Sequence, residues 1–535
     1  MQLLLASCKQ FRHRFIGLRV MLPSLLLGVF CSAASYVAAE EVITLDPVAR
    51  FHPLIAEKGV SVSQEAIASQ VGADILAAGG NAVDAAVATG FAMAVTLPRA
   101  GNIGGGGFML VHLAKENKTV AIDYREMAPA AASRDMFLDL EGDVDQLKAR
   151  HSVHSSGVPG TVAGMIYALE KYGTLSLKEV MQPAIKLAKN GFPLSRGLAS
   201  SLGRYQDYLA KDPSSKGYFY KADGQLYQAG ELLVQKDLAA TLKRIAKHGR
   251  AGFYSGKTAD LLIGQMRRNG GLMTHQDLRD YRVVERQPVC GEFRSNKVCA
   301  MPPPSSGGVH LVQMLNILEG WDLQSLGHNS GAYLHRLVES MRRAYADRSL
   351  HLGDPDFHPV PAEQLMNKDY AAALREQIDL SKSSRSNDIK PAVFTALNNS
   401  PKANTESTET THYATWDQWG NVVSNTYTIN FSYGNGISVA GAGFLLNNEM
   451  DDFSSKPGSA NGYGLIGGEA NAIQPAKRPL SSMTPTIVFN PKGEAILATG
   501  SPGGSTIITV VLQMVLNVLE FDMGLAEATA APRIH

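Results

Sequence analysis

Apolar residues recur at helical spacing at Ile67, Val71 and Ile75, inside a run from Ser63 to Ala78 that Gly79-Gly80 stops. Asn81 caps a second, alanine-rich helix through Val95, which ends before Pro98. The period then changes. Arg99 to Leu110 (RAGNIGGGGFML) reads as a glycine-rich turn entering a strand, and Val111 and Val120–Tyr124 read as paired strands. Helical patterning returns from Thr161 to Tyr172, closed by Gly173, and again after Ser176, which forms a capping box with Glu179. Residues 198–290 read as mostly helical, with Thr274 as a cap. A proline-rich turn from Met301 to Val309 precedes a helix to Leu318. Ala332 to Leu350 is a further helix, whose Glu339, Arg342, Arg343, Asp347 and Arg348 read as a solvated or salt-bridged face.

Apolar residues thin out from Asp379 to Glu409, the composition of a flexible linker. Past it the period becomes two. Thr411–Trp416, Val422–Asn430, Ser438–Val439, Gly443–Leu446, Thr486–Asn490 and Ala495–Thr499 read as strands of an antiparallel sheet. Ser501-Pro502-Gly503-Gly504-Ser505 then opens a helix to about Leu519.

Composition narrows the function classes. The 535 residues are 45% hydrophobic and 19% charged, which suits a large core. A net charge of +1 leaves no broad basic face for nucleic acid. The 51 glycines are often doubled, as at Gly104–Gly107, Gly307–Gly308 and Gly503–Gly504, which suggests tight turns and close backbone approaches to ligands. The first of these runs matches neither a dinucleotide fingerprint nor a phosphate loop. Lys9, Arg12, Arg14 and Arg19 precede an apolar run from Val20 to Phe30, and Val37-Ala38-Ala39 offers small residues before Glu40. Residues 1–39 thus read as a signal peptide for export to the periplasm, with an uncut membrane anchor as the alternative. Beyond the leader only Cys290 and Cys299 remain. A hairpin turning near Arg294-Ser295 sets them opposite each other, as a disulfide or as two buried thiols. Nothing near them completes a metal site, and no cofactor is indicated.

The chemistry centres on Glu409-Thr410-Thr411-His412-Tyr413, where the polar segment hands over to a strand. If the Glu409–Thr410 bond breaks, Thr410 gains a free α-amine beside its hydroxyl. That amine has a pKa of about 7.7–8.0 and can take the hydroxyl proton near neutral pH. On residue chemistry alone Thr411 could serve instead, and a Thr pair at a strand start is also ordinary β structure. Other pieces add to the picture. Gly503-Gly504 stands where strand becomes helix, so its N–H groups can hold an oxyanion. Arg125 closes a strand and is either surface charge or a clamp for a carboxylate. Asn447 to Asp452 supplies carboxylates that are surface acids or a pair for an ammonium. Ser481-Ser482 offers hydroxyls, and Thr428 and Asn430 lie on one face of a strand. Together these describe a pocket for a free amino acid.

RAGNIGGGGFML, DYREMAPA, GVPGTVAGM, MPPPSSGG, TTHY, NTYTIN, NNEMDDFSSKPG, KRPLSSM and TGSPGGS follow one another between about Gln64 and His535. In this order they resemble the bacterial γ-glutamyltransferase (glutathione hydrolase) proenzymes of the N-terminal nucleophile class. The resemblance implies an α+β fold, a four-layer αββα sandwich. It implies self-cleavage into a large subunit, residues 40–409, and a small subunit, residues 410–535, which stay together as a heterodimer sharing one core. Thr410 would attack the γ-glutamyl amide of glutathione or a related compound. The acyl group would pass to water, an amino acid or a dipeptide, with no cofactor. Arg125, Ser481 and Ser482 would hold the substrate α-carboxylate, and Asn430, Glu449 and Asp452 its α-amine. Gly503 and Gly504 would stabilise the oxyanion, Thr428 would assist Thr410, and Tyr463 would be a lid. Family members continue for some tens of residues past the equivalent of Ala531-Pro532-Arg533. Two alternatives stand beside this reading: a related acylase acting on a β-lactam side chain, and a shortened, unprocessed pseudoenzyme.

Overall fold

The computed structural model describes residues 53–393 and 410–535, in which two antiparallel sheets are stacked between helices. The leader read at residues 1–39 and Glu409 lie outside the described residues. The six-stranded sheet runs β1 (Gly59–Val62), β7 (Thr411–Asp417), β8 (Val422–Thr428), β2 (Gly106–Leu113), β3 (Lys118–Tyr124), β4 (Val284–Arg286). The four-stranded sheet runs β10 (Ala495–Thr499), β9 (Thr486–Phe489), β6 (Asn296–Ala300), β5 (Val289–Phe293). On the outer face of the first sheet lie α1 (Ala66–Ala77), α2 (Ala82–Thr96) and α3 (Thr161–Tyr172). Against the second packs α4 (Gly307–Leu318), with α5 (Gly331–His351) and α6 (Thr506–Leu519) beside it. The fold is α+β.

Alternation along β2 explains the layering. Met109 and Val111 join the core under α1, α2 and α3, whereas Phe108 and Leu110 join Val298, Ala300 and Ile487 between the sheets. A strand buried on both faces reads as continuously apolar, and a one-residue slip would exchange the two cores. The helix starts are set chemically. Asn81 with Asp84, Ser176 with Glu179 and Thr274 with Asp277 all form capping boxes.

Some expectations change. The strands after Thr410 belong to two sheets, β7 and β8 to one and β9 and β10 to the other. Ser438–Val439 and Gly443–Leu446 contribute a single isolated bridge, Ser438 to Leu445, because Gly441 and Gly443 turn the chain with positive φ. Residues 198–290 carry helices but also β4 and the short strand Leu232–Leu233, which pairs with Phe192–Pro193 just before them. Asn430 does not continue the strand face with Thr428; β8 ends at Thr428 and Asn430 turns away with φ 74°. Of the two readings of the charged side of α5, the salt-bridged one holds and the solvated one does not. Glu339, Arg343, Asp347 and Arg348 are buried, because Glu339 meets Arg343 at 2.7 Å and Gln313 and Tyr370 donate to Asp347 at 2.6 and 2.8 Å. Cys290 and Cys299 are register partners joined by a disulfide, with Arg294 and Ser295 making the turn at φ 49° and 64°.

The glycine run Gly104–Gly107 approaches protein, not ligand. A Cβ on Gly105 would lie 2.0 Å from the Thr428 carbonyl, and one on Gly107 2.5 Å from Tyr427 Cβ. Backbone thus replaces side chain directly beneath β8, where the candidate site lies.

Candidate active site

Strand register brings the two hydroxyls together. β7 pairs with β8 through Thr411 opposite Tyr427, so the next pair outward is Thr410 and Thr428. The Thr410 hydroxyl donates to Thr428 Oγ1 at 3.4 Å. Thr428 Oγ1 also accepts from the Asn430 N–H at 2.8 Å, a bond the left-handed turn at Asn430 makes possible. Thr411 points to the other face of β7, so the cavity wall contains Thr410 and not Thr411.

The cavity is small, about 20 Å³. Of the residues singled out in the sequence, Thr410, Thr428, Asn430, Tyr463 and Gly504 line it at one end. Arg125, Glu449, Asp452, Ser481 and Ser482 line it at the other. Gly503 is not in its wall. Leu465, Leu480, Met483 and Ile507 complete it. Tyr463 roofs the site: its hydroxyl donates to the Asn430 carbonyl at 2.7 Å, and its ring stacks on Phe431 with centroids 4.9 Å apart. Gly504 is required twice over. Its φ is 54°, and a Cβ there would sit 2.3 Å from the Tyr463 ring. Gly503 and Gly504 precede Ser505, the cap of α6, and their carbonyls accept from the Thr506 and Ile507 N–H groups at 3.0 and 3.2 Å, which leaves their own N–H groups at the mouth of the helix.

The other end is charged. Arg125, at the close of β3, is fully buried. Its guanidinium bonds to Glu449 and Asp452, donates through Nε to the Pro479 carbonyl at 3.2 Å, and lies 3.6 Å from Glu126. The clamp read from the sequence is therefore already engaged by the two acids assigned to the substrate amine. Burial works against the Arg125 charge, but Glu449, Asp452 and Glu126 outweigh it and hold its pKa above the ordinary value. Burial pushes the carboxyls the other way. Glu126 rises to about 7, and Glu449 and Asp452 are also raised despite Arg125. Both Glu126 oxygens and Glu449 Oε2 are buried without a hydrogen-bond donor.

The serines are fixed by backbone bonds. Ser481 N–H donates to the Pro304 carbonyl at 2.8 Å, and the Ser481 carbonyl accepts from Ser306 N–H and Ser306 Oγ, both at 2.8 Å. The proline turn before α4 thus sets the position of Ser481 and Ser482. Asp451, one of the carboxylates of the Asn447–Asp452 run but given no role of its own in the sequence, holds the loop carrying Tyr463: it accepts from Gly462 N–H at 2.9 Å and from Arg150 Nε at 3.1 Å. Burial raises Asp451 to about 6. Sequence reasoning gave no site role to Glu126 or Arg348; adjacency to Arg125 was a signal for the first, and the second was read only as part of the charged face of α5. Among the described residues no group of His, Cys, Asp and Glu is arranged to hold a metal ion, and no helix is long and apolar enough to cross a membrane.

Comparison with known proteins agrees with the geometry. The family model for gamma-glutamyltranspeptidase matches residues 68–535. The chain is 50% identical to the glutathione hydrolase proenzyme of Escherichia coli K12, over 97% of this chain and 87% of that protein. The crystal structure of Helicobacter pylori gamma-glutamyltranspeptidase aligns at 46% identity with a TM-score of 0.63, covering 65% of this chain and all of that one. A cephalosporin acylase from Bacillus halodurans aligns at 25% identity with a TM-score of 0.77, covering 90% of this chain and 84% of that one. With this match across nearly the whole length, the chain belongs to the gamma-glutamyltranspeptidase family.

Proposed function

We infer that the protein is a self-processing γ-glutamyltransferase and glutathione hydrolase whose nucleophile is Thr410. The observation that carries this reading is the cavity itself. A threonine hydroxyl one residue before β7 lines one cavity with a buried arginine, two carboxylates and two serines. Scission of Glu409–Thr410 frees the Thr410 amine. The amine takes the hydroxyl proton as Oγ attacks the γ-carbonyl of glutathione. The oxyanion forms against the backbone at Gly503-Gly504. The new ammonium returns its proton to the departing amine, leaving a γ-glutamyl ester on Thr410. Water, an amino acid or a dipeptide then attacks that ester, and the same amine accepts and returns the proton. Arg125, Asn430, Glu449, Asp452, Ser481 and Ser482 hold the amino-acid head group, and Tyr463 covers it.

The large subunit ending at Glu409 and the small subunit starting at Thr410 remain a heterodimer after scission. Supporting this, β7 and β8 are hydrogen-bonded between β1 and β2, so strands from both sides of the cut alternate in one sheet. A β-lactam acylase would use the same fold, but a head-group site with a cation and two acids favours a free amino acid over an acyl chain lacking one. Residues 1–39 direct export to the periplasm; amino-terminal sequencing of protein from that fraction should give a start near Glu40.

The deciding experiment is a denaturing gel with sequencing of the smaller band. Two bands, the smaller beginning at Thr410, and glutamate release from glutathione are expected. A single uncut chain that is inactive would instead support the pseudoenzyme.

A further inference from the structure

Arg125 leaves a charge problem at the carboxylate end. Its NH1, NH2 and Nε are taken by Glu449, Asp452 and the Pro479 carbonyl, with Glu126 also close. One cation faces three carboxyls, so the cluster offers an incoming carboxylate little net positive charge. A second guanidinium lies behind the wall. Arg348, on α5, is 4% exposed and forms no salt bridge among the described residues. Its Nε donates to Ser306 Oγ at 3.0 Å and its NH2 to Ser482 Oγ at 3.4 Å. Burial lowers it to about 10, so it is still cationic at neutral pH.

These bonds dictate where the serine protons go. Ser482 Oγ accepts from Arg348, so its own O–H is left to donate into the cavity that it lines. Ser306 Oγ accepts from Arg348 and donates to the Ser481 carbonyl. Ser481 Oγ accepts from the Met483 N–H at 3.1 Å, which likewise leaves its proton for the cavity. Both hydroxyls are thus held as donors, which is what an anion requires.

We propose that Arg348 is a positioning residue for the donor substrate's α-carboxylate: through Ser306 and Ser482 it turns the serine pair into fixed hydrogen-bond donors and places behind them a guanidinium that no salt bridge among the described residues engages. The proposal rests on the reading of the cavity as a γ-glutamyl site. It assigns selectivity for a free α-carboxylate to a residue with no place in the wall, reaching the small segment's Ser481-Ser482 turn from a helix that precedes Thr410 in the chain.

The test compares a γ-glutamyl anilide bearing a free α-carboxylate with the same anilide as its α-amide, in wild type, Arg348→Lys, Arg348→Gln, Ser306→Ala, Ser482→Ala and the Arg348→Gln/Ser482→Ala double variant. Self-cleavage on a gel and the melting temperature report folding. The wild type should prefer the free acid. Arg348→Gln should raise KM for the free acid about tenfold or more, with a smaller change in kcat, and bring the acid-to-amide ratio toward one. Ser482→Ala should do the same, and the double variant should lose no more than the worse single variant. Arg348→Lys should recover part of the preference. Ser306→Ala should reduce it by about two- to fivefold, and carries the test if Arg348→Gln does not fold. An unchanged acid-to-amide ratio in cleaved, folded Arg348→Gln or Ser306→Ala would overturn the proposal, as would multiplicative losses in the double variant. A wild type that cleaves the anilide without preferring the free acid would also overturn it, while leaving the γ-glutamyl reading intact. A wild type that cleaves neither anilide, and in calorimetry binds neither L-glutamate nor its α-amide, would sink that reading and the proposal with it.

Discussion

The two ends of the cavity are built from different materials. At the Thr410 end everything is neutral: two threonine hydroxyls 3.4 Å apart, the Asn430 turn, a tyrosine roof and glycine backbone. At the Arg125 end a guanidinium is ringed by Glu126 and Glu449, both buried, and by the partly buried Asp452. A neutral end suits bond making, since a hydroxyl nucleophile there needs only a local base and an oxyanion site. A charged end suits recognition of a zwitterion, but its charges have been taken out of water at considerable cost and must stay paired. Damage to the first end should therefore appear in kcat and self-processing. Damage to the second should appear in KM, in stability and in pH dependence.

The sharpest break is Thr410→Ala. It should leave one uncut chain and lower glutamate release by at least about 10⁴-fold, since it removes hydroxyl and amine function together; gel and single-turnover assays check both. Next is Arg125→Ala. It should still self-cleave, but removing the cation strands Glu449 and Asp452 in the interior, which costs about 3–5 kcal/mol in stability and raises KM strongly. An unchanged KM would separate recognition from this end and dissolve the contrast.

Glu126→Gln refines the comparison. The folded-state pKa of Glu126, about 7, lies above the unfolded value of 4.5, so the folded protein binds more protons between these values. Stability should then fall as pH rises from about 4.5 to about 7, by on the order of 3 kcal/mol. The glutamine variant should flatten that slope in denaturant titrations at several pH values, leaving kcat nearly untouched. The smallest effect is expected remote from both ends. Cys299→Ser opens the Cys290–Cys299 link, which closes a separation of 9 residues on β5 and β6. It should cost about 2–3 kcal/mol of stability without altering KM. A change in KM would mean that the second sheet's edge communicates with the site.

Different parts of the molecule were legible to different degrees. The helix starts were open to reading because a capping box is local chemistry: Asn81, Ser176 and Thr274 each bond to a residue three positions on. The hairpin at Cys290 and Cys299 was legible for the same reason, the turn lying between its own strands. The inventory of site residues was visible through ordered motifs, and nearly all of them line one cavity. The assignment of β7 and β8 to one sheet and β9 and β10 to the other was not, because alternation names a face without naming a partner strand. The charged side of α5 could be read only as solvated or salt-bridged, and the choice between them was not legible, because polarity along a helix says nothing of what lies opposite. There it meets Gln313, Tyr370 and the serine turn.

Local order was therefore written in the residues: where helices begin, where the chain turns, and that a threonine pair opens a strand; which of the two threonines faces the cavity was decided by strand register. Distance in space was not. That Arg125 spends its donors on Glu449 and Asp452, and that Arg348 reaches Ser482 across 134 positions of chain, follow from the stacking of two sheets and the helices that cover them. Burial then changes what those charges can do, because an ion removed from water answers only to the groups packed around it.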